Sequence, residues 1–107
     1  MFTVEYFTEA DGNIVFDEWL DQLSDRKAIA RITTRIERLK RGAFGDCKSL
    51  QEGVWELRID YGPGYRLYYS MVGKTIVLLL CGGDKRKQNA DIERAVTYLK
   101  DYKRRKL

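Results

Sequence analysis

The segment from Glu56 to Tyr69, with the sequence ELRIDYGPGYRLYY, constrains the fold more than any other part of the chain. Two runs of strand-forming residues flank Gly62, Pro63 and Gly64, a combination that favours a tight turn. The segment therefore predicts a β-hairpin. Because alternate side chains of a strand point to opposite faces, each face of this hairpin has its own composition.

A register that pairs Tyr61 with Tyr65 separates an apolar face from a polar face. The apolar face carries Trp55, Leu57, Ile59, Tyr61, Tyr65, Leu67, Tyr69 and Met71. The polar face pairs Asp60 with Arg66, Arg58 with Tyr68, and Glu56 with Ser70. A slip of one residue would exchange the faces, which supports the register. The polar face is either a solvated surface with cross-strand ion pairs or a functional site, and the pattern leaves both open.

The length of 107 residues predicts one domain, residues 1–107, with a single core. No apolar run is long enough to cross a membrane. The first residues, MFTVEYFTEADG, lack the basic start and apolar stretch of a secretion signal. We therefore expect a cytoplasmic protein without membrane contact. In that compartment Cys47 and Cys81, which are far apart in sequence, are expected to be reduced thiols.

Histidine is absent from the chain. This excludes the commonest general base, the usual zinc ligand and every Ser–His or Cys–His catalytic pair. If the protein is an enzyme, Tyr, Lys, Asp or Glu must carry its proton transfers.

The formal net charge is +4, and the basic residues are clustered. They are dense from Arg26 to Arg41, form the triplet Lys85 to Lys87, and recur in the C-terminal YKRRKL, whereas many acids lie between Glu5 and Asp25. Such segregation favours a polyanionic partner, either RNA or an acidic protein segment. A basic surface without a specific partner explains the charge equally well.

The order of the remaining patterns predicts an α+β fold. Strands are expected at Phe2 to Phe7, around Cys47 to Leu50, and at Thr75 to Cys81, which should lie inside the sheet and end at Gly82-Gly83-Asp84. Amphipathic helical stripes are formed by Phe16, Trp19, Leu20 and Leu23, by Ile29, Ile32, Ile36 and Leu39, and by Ile92, Ala95, Val96 and Leu99. We expect a twisted, mainly antiparallel sheet, an N-terminal antiparallel helical hairpin packed on it, and a C-terminal helix capped by Asn89.

The hairpin segment, together with the later LLCGGDKRKQNADI, resembles the HigB-like "addiction module killer" family of the RelE/ParE toxin superfamily. The resemblance covers nearly the whole chain as a single toxin domain. It implies a small RelE-like, microbial ribonuclease-like fold. It also implies a cognate HigA-like helix-turn-helix antitoxin, with any contact to operator DNA made through that antitoxin. The activity it implies is ribosome-dependent cleavage of messenger RNA, which stops translation.

RNA can be cleaved when its own 2′-OH attacks the adjacent phosphate, so the enzyme must stabilise charge and move protons. Arg58 and Arg66 present guanidinium forks suited to phosphate oxygens, and Tyr68 could donate a proton or stack on a base. Lys85 could bind phosphate or act as a base, and Glu56 is the alternative base. These five residues are the candidate catalytic set, and the scheme requires neither metal nor cofactor.

Asp60 is expected to orient Arg66, or to form a plain cross-strand salt bridge with it. Tyr68 has an alternative interpretation as a surface aromatic residue. Gln88 and Asp91 fit the pattern of the family, and their local sequence is also that of helix-start residues, which is the interpretation we favour. Candidate contacts to RNA or the ribosome are Lys87, Arg86, Lys48 and Arg104, the last in a tail that also fits a solvated helix end.

Two other functions share the fold that the resemblance implies. A non-catalytic toxin of the ParE type would inhibit DNA gyrase by contact, and it should use exposed apolar anchors rather than a concentrated charged face. A toxin that has lost its activity could persist as an antitoxin-bound co-repressor. The antitoxin could lie across the basic helix from Arg26 to Arg41 or cover the hairpin face, and the sequence does not choose between them.

Overall fold

The computed structural model describes residues 1–106, which form one five-stranded sheet with helices on both faces. The strands are β1 (Thr3–Tyr6), β2 (Cys47–Ser49), β3 (Trp55–Ile59), β4 (Tyr65–Val72) and β5 (Ile76–Asp84). The α-helices are α1 (Val15–Asp21), α2 (Arg26–Lys40) and α3 (Gln88–Arg105), the last preceded by a 3-10 turn at Lys85–Lys87. Among these residues no helix is both long enough and apolar enough to cross a membrane.

The strand order is β1-β5-β4-β3-β2, with β1 parallel to β5 and every other pair antiparallel. The α+β class and the mainly antiparallel sheet are confirmed, and β5 lies inside the sheet as its apolar sequence predicted. The predicted last strand residue, Cys81, is wrong, since β5 runs to Asp84. Gly82 and Gly83 continue the strand, because they pair with Leu67 and Arg66 of β4.

The predicted register of the β3–β4 hairpin is wrong by two residues. Ile59, rather than Tyr61, pairs with Tyr65, so the connection is a loop of Asp60 to Gly64. Within it the Gly64 amide donates to the Tyr61 carbonyl. Because the side-chain period of a strand is two, a slip of two residues changes every cross-strand partner but moves no side chain to the other face. The predicted division of the strand residues between an apolar and a polar face is therefore correct.

The apolar face of the hairpin packs against α1 and α2. Helix α2 begins at an Asp25 cap, whose carboxylate accepts from the Lys27 and Ala28 amides, and it ends just before Gly42 in a left-handed conformation with φ 82°. The cluster of buried side chains on this face includes Phe16, Ile32, Ile36, Leu39, Leu57, Leu67, Tyr69 and Leu79. Both helices contribute to it, while their pairing as an antiparallel hairpin stays a prediction.

Helix α3 covers the opposite face of the sheet. Its Ala95, Val96 and Leu99 pack with Tyr68, Leu78 and Leu80 in a second apolar cluster. The predicted Asn89 cap is wrong, because α3 already begins at Gln88. The preceding 3-10 turn is capped by Asp84, whose carboxylate accepts from the Arg86 amide. The polar face of the hairpin therefore lies beneath the start of α3 instead of facing solvent along its whole length.

Candidate active site

Glu56 stands at the centre of the polar side chains on the hairpin. It pairs across the sheet with Tyr68 of β4 and with Lys48 of β2, so these three residues share one face. The Glu56 side chain is only 2% exposed. A carboxylate this deeply buried requires charged or hydrogen-bonding partners, which come from the same face of β3 and β4 and from α3.

Three side chains surround the Glu56 carboxylate. Its Oε2 lies 3.2 Å from Nε of Arg58, and its Oε1 lies 3.5 Å from Nε of Arg66. Oε1 also accepts a hydrogen bond of 2.7 Å from Nε2 of Gln88, in the first turn of α3. One buried acid therefore holds two guanidinium groups that are neighbours across β3 and β4.

The two arginines keep donors available for another anion. Arg58 is 36% exposed and Arg66 is 12% exposed. Both Nε atoms are buried and complete no hydrogen bond, even though Glu56 lies nearby. Within residues 1–106 the terminal nitrogens of Arg58 make no hydrogen bond, and Arg66 uses Nη1 for a 3.3 Å bond to the Tyr65 carbonyl. Two guanidinium groups with free N–H donors on one face can bind the oxygens of a phosphate.

Asp60 does not orient Arg66, so that prediction is wrong. The shifted register places Arg58 opposite Arg66, and Asp60 lies in the exposed loop that follows β3. Glu56, rather than Asp60, is the acid that contacts Arg66, and it contacts Arg58 as well. The error follows from the misplaced turn, since the predicted Asp60–Arg66 pair required the register two residues away.

Tyr68 is completely buried under α3, so its interpretation as a surface aromatic is wrong. The ring has no exposed face on which an RNA base could stack, which leaves only its hydroxyl for chemistry. That hydroxyl has no hydrogen-bond partner. Burial, and then the negative charge of Glu56 and of Asp91, raise the pKa of Tyr68 above the ordinary tyrosine range. The hydroxyl therefore stays protonated and can donate.

Two glycines bring the helices close to the end of β5. Leu80 forms a bulge where the β4–β5 register shifts, and beyond it Gly82 faces Trp19 of α1 while Gly83 faces Asp91 of α3. A Cβ atom on Gly82 would overlap the indole, and one on Gly83 would overlap the carboxylate. The glycine pair is thus explained by close approach of side chains from both sides of the sheet.

Asp91 is a second buried acid beside the candidate site. Its Oδ1 accepts a 3.1 Å bond from Nη1 of Arg94, while its Oδ2 is buried without a partner. Burial raises the pKa of the Asp91 carboxyl above its ordinary range, and Arg94 partly offsets the effect. Gln88 and Asp91 point inward from α3, so both contribute to the buried polar layer as well as starting the helix.

The predicted basic residues fall into two groups. Lys85 follows β5 directly, and its amide donates to the Gly64 carbonyl at 2.8 Å. A Cβ atom on Gly64 would lie 3.6 Å from Lys85 Cβ and 3.7 Å from Arg66 Nη1, so the loop, Lys85 and Arg66 meet at one edge. Arg86 and Lys87 follow in the same exposed turn, although Arg86 is paired with Asp84 at 2.8 Å.

Of the other two predicted basic residues, Lys48 lies close to Glu56 and Arg104 lies far from it. Lys48 is exposed and directly opposite Glu56 on the edge strand β2. Arg104 lies near the other end of α3, about 24 Å along the helix from Gln88 at 1.5 Å per residue. It is paired there with Asp101. The fold thus brings together the candidate catalytic residues, with Lys48 opposite Glu56 and with Arg86 and Lys87 in the turn after Lys85, whereas Arg104 lies apart.

Gln88 contacts Glu56 at the site, although the sequence favours a helix-start role for it and it is not among the candidate site residues. Its amide holds Glu56 from α3. A signal for it was present, because Gln88 continues the inner stripe of Ile92, Ala95 and Leu99 by one helical turn. A polar residue on the inner stripe of a helix needs a polar partner on the sheet below. Within residues 1–106 there is no group of three or more acidic or cysteine side chains that could hold a metal ion.

Comparison with known proteins assigns the family. Residues 18–103 match the family model described as Phage derived protein Gp49-like (DUF891). The chain belongs to this family. Gp49-like proteins are RelE-like toxins, and membership implies an antitoxin partner. This Gp49-like protein is also 50% identical over 82 residues to an uncharacterized protein of Haemophilus influenzae, an alignment that covers 77% of this chain and 83% of the relative.

Proposed function

We propose that this Gp49-like protein is the HigB-like toxin of a type II toxin–antitoxin system and an endoribonuclease that cleaves messenger RNA on the ribosome. The observation that carries the proposal is the Glu56 carboxylate held between the Arg58 and Arg66 guanidinium groups, with Lys85 at the same edge. Two oriented cations around one buried acid suit the binding of a phosphodiester next to a group that can accept a proton.

The proposed reaction uses the 2′-OH of the substrate as the nucleophile. The 2′-oxygen bonds to the adjacent phosphorus as its proton leaves, the bond from phosphorus to the 5′-oxygen breaks, and the 5′-oxygen takes up a proton. The products are a 2′,3′-cyclic phosphate and a 5′-hydroxyl, so no water, metal or cofactor enters this step. DNA lacks the nucleophile and is not a substrate.

Each residue has a role in this scheme. Arg58 and Arg66 bind the non-bridging oxygens and stabilise the charge that develops on phosphorus. Glu56 positions both arginines, and it accepts the 2′-OH proton once a phosphate has drawn the guanidinium groups away from it. Lys85, as an ammonium, donates the proton to the leaving 5′-oxygen. Tyr68 keeps its proton, so its hydroxyl remains a hydrogen-bond donor beside Glu56.

The surroundings of the site support a large RNA-containing target. Three lysines near the site are exposed, and within residues 1–106 none of them forms an ion pair: Lys48, Lys85 and Lys87. Their charge would attract ribosomal RNA in a salt-dependent manner, and Arg104 would add to it from the far end of α3. The proposed activity belongs to the cytoplasm, where messenger RNA is translated. We propose that a HigA-like helix-turn-helix antitoxin restrains it and carries any contact with operator DNA.

One observation weighs against a gyrase-binding toxin of the ParE type. A binder needs apolar anchors on its surface, but the exposed large hydrophobic residues within residues 1–106 are only Met1 and Tyr6. The concentrated charge around Glu56 has no role in simple apolar contact. Nuclease activity is therefore the function that this surface supports best.

The test is cleavage of a defined messenger RNA by purified protein, with and without translating ribosomes. We expect cuts that depend on the ribosome and that disappear in Arg58→Ala/Arg66→Ala. Because that variant leaves Glu56 buried without its cations, Arg58→Lys/Arg66→Lys is tested beside it. Lys74→Gln/Lys103→Gln is the matched control, since it removes two exposed charges that have no ion pair within residues 1–106.

The outcomes separate the candidate functions. Unchanged cleavage and growth arrest in both arginine variants, each shown to be folded by circular dichroism, would refute the proposed site. Cuts without ribosomes would retain the nuclease and change its substrate. Intact messenger RNA together with inhibited DNA supercoiling would identify a gyrase inhibitor. Intact messenger RNA without growth arrest would fit a toxin that has lost its activity.

A further inference from the structure

A second basic region lies on the opposite side of the hairpin from Glu56. It is a cleft between α2 and the end of β3, with a volume of about 490 Å³. The cleft is lined by Lys27, Ala30, Arg31, Thr34, Arg35, Arg38, Ile59 and Asp60. Four cations face one carboxylate, so the cleft carries net positive charge.

Most of this charge is not neutralised by the protein. Lys27, Arg31 and Arg38 form no ion pair within residues 1–106, and the ion pair that α2 does make, Lys40–Glu37, involves other residues. Lys27, Arg31 and Arg38 follow one another at intervals of four and seven residues, so about 6 Å and 10 Å of helix separate them. A row of unpaired cations on one helix face repels itself, and it is stabilised by a polyanion.

Two of the arginines are held in fixed positions. Arg35 is fixed by hydrogen bonds to the backbone, 2.6 Å to the Arg58 carbonyl and 3.1 Å to the Phe44 carbonyl. Arg31 lies over the ring of Tyr61, 4.6 Å from its centroid, and the Tyr61 hydroxyl donates to Asp25. A guanidinium stacked on an aromatic ring keeps its edge donors free and loses little side-chain entropy on binding a phosphate.

None of the residues that line the cleft is a large, exposed apolar side chain that could anchor a protein partner. Ile59 is only 4% exposed, and Ala30 is the other aliphatic residue in the lining. Protein–protein interfaces take most of their energy from aromatic and aliphatic anchors seated in pockets. Charged walls with one small alanine suit instead a ligand that is charged along its length, such as a sugar–phosphate backbone.

The cleft and the candidate active site meet at the tip of the hairpin. On one side of the Asp60 to Gly64 loop, Arg31 covers Tyr61. On the other side, Lys85 and Arg66 flank Gly64. A single strand that leaves Arg66 and passes around this tip would therefore meet positive charge on both sides of it.

From these observations we propose that the α2 cleft binds the phosphodiester backbone of single-stranded RNA, outside the nucleotides that are cut. The inference rests on the proposed function for its choice of RNA. The cleft anchors the strand through Lys27, Arg31 and Arg38 and takes no part in bond breaking. It thereby sets a minimum length of RNA for full affinity.

The test measures binding without cleavage. The probe is fluorescent 2′-O-methyl RNA, which has no free 2′-OH, at lengths of about four and about twelve nucleotides, within the range bound by single-strand-binding proteins. Affinity is followed over a series of salt concentrations for the wild type, for Lys27→Gln/Arg38→Gln, and for the control Lys74→Gln/Lys103→Gln. Both double variants remove two positive charges from exposed positions that have no ion pair within residues 1–106.

We expect the cleft variant to flatten the plot of log affinity against log salt by about 1.4, from two phosphate contacts at about 0.7 each for single strands. The control should change this slope much less, and the short RNA should not distinguish the two variants. Equal slopes for the cleft variant and the control would overturn the proposal, as would an effect of equal size on the short RNA. Arg31→Gln, compared with Arg41→Gln, repeats the test if the double variant does not fold.

Two further results distinguish RNA binding by the cleft from the proposed nuclease activity and from binding of an acidic polypeptide. If the cleft variant flattens the slope but the wild type cleaves no messenger RNA, the RNA-binding cleft stands and the proposed nuclease fails. If polyglutamate binds the wild type more tightly than the twelve-nucleotide RNA does, and Lys27→Gln/Arg38→Gln abolishes the difference, the occupant is an acidic polypeptide. That result would overturn the assignment to RNA.

Discussion

The two basic regions of this Gp49-like protein differ in what stands behind their cations. Arg58 and Arg66 share a carboxylate, Glu56, that is almost completely buried. The cleft on α2 carries a comparable number of cations, yet Lys27, Arg31 and Arg38 have no acid partner within residues 1–106. Positive charge is thus concentrated in both regions, but only in the hairpin site does a buried acid orient the guanidinium groups.

This difference indicates different tasks. Burying an acid costs desolvation energy, and the acid neutralises part of the positive charge that would attract a polyanion. Such an acid is useful where guanidinium groups must contact a reacting phosphate in one geometry. Cations without a partner attract a polyanion strongly and tolerate variation in its path. Sequence-independent affinity is therefore expected from the cleft, and chemistry from the hairpin.

The largest effect on cleavage is expected when an arginine of the site is replaced by lysine, which keeps the positive charge but not the planar guanidinium group. Arg66→Lys should lower the single-turnover cleavage rate by about 10²-fold to 10³-fold, because an ammonium on a flexible stem cannot reproduce the fork held by Glu56. Arg41→Lys, at the exposed end of α2, is the matched control and should cleave normally. A rate close to wild type for Arg66→Lys would mean that orientation is unimportant, and the contrast between the two regions would disappear.

A somewhat smaller effect is expected when the acid loses its charge. Glu56→Gln preserves the size of the side chain but no longer holds the guanidinium groups, so cleavage should fall by up to about 10²-fold. If Glu56 accepts the 2′-OH proton, the acidic limb of the pH–rate profile should also disappear. Asp60→Asn, which removes a carboxylate with no ion pair within residues 1–106, should leave the profile unchanged. A retained acidic limb in Glu56→Gln would reduce Glu56 to a positioning residue.

The hairpin shows which part of such a site a sequence can predict. Alternation along β3 and β4 correctly separated Glu56 and the arginines from the apolar core. It could not determine the partners, because a slip of two residues leaves both faces unchanged. The partners depended on the turn, where the Gly62-Pro63-Gly64 pattern indicated a shorter connection than the loop from Asp60 to Gly64. The sequence pattern therefore assigns Asp60 to Arg66, although Glu56 is the acid that contacts it.

Strand patterns also could not predict that α3 covers the polar face of the hairpin. A polar stripe looks the same whether it meets water or a helix with its own polar residues. The complement was in α3, where Gln88 and Asp91 precede the apolar stripe and face inward. Local rules interpreted them as helix-start residues, because such rules do not include the packing of distant segments. Strand and helix positions could be predicted from sequence, but the buried polar layer between them could not.

The close contact between α3 and β5 should depend on Gly83. Gly83→Ala should reduce the free energy of unfolding by about 1–3 kcal/mol, because the new methyl group meets the Asp91 carboxylate. It should also displace Gln88 and slow cleavage, while the salt dependence of RNA binding at the α2 cleft should not change. Urea unfolding of Gly83→Ala, Asp91→Ala and the double variant forms the test. A double variant destabilised by the full sum of the two would show that the contact is not responsible.

A smaller effect concerns the charge of Asp91 itself. Burial raises its pKa in the folded state above the unfolded value, so between these two pKa values the folded protein holds more protons. The contribution of Asp91 to the free energy of unfolding should therefore rise as pH falls through that window and be least favourable at neutral pH. Asp91→Asn should be most stabilising, relative to wild type, at neutral pH. Asp84 provides the opposite control, because the Arg86 side chain lowers its pKa and stability from this group is lost as pH falls.

The smallest effect is expected at Arg38, and it addresses the comparison most directly. If the cleft attracts phosphate by charge alone, Arg38→Lys should leave the salt dependence of binding to 2′-O-methyl RNA unchanged, whereas Arg38→Gln should flatten the slope by about 0.7. Lysine replaces arginine without penalty only where geometry is not demanded. The same exchange at Arg66 should be severe. If Arg38→Lys flattened the slope as much as Arg38→Gln, the cleft would be an oriented site as well, and the absence of a buried acid would no longer separate attraction from chemistry.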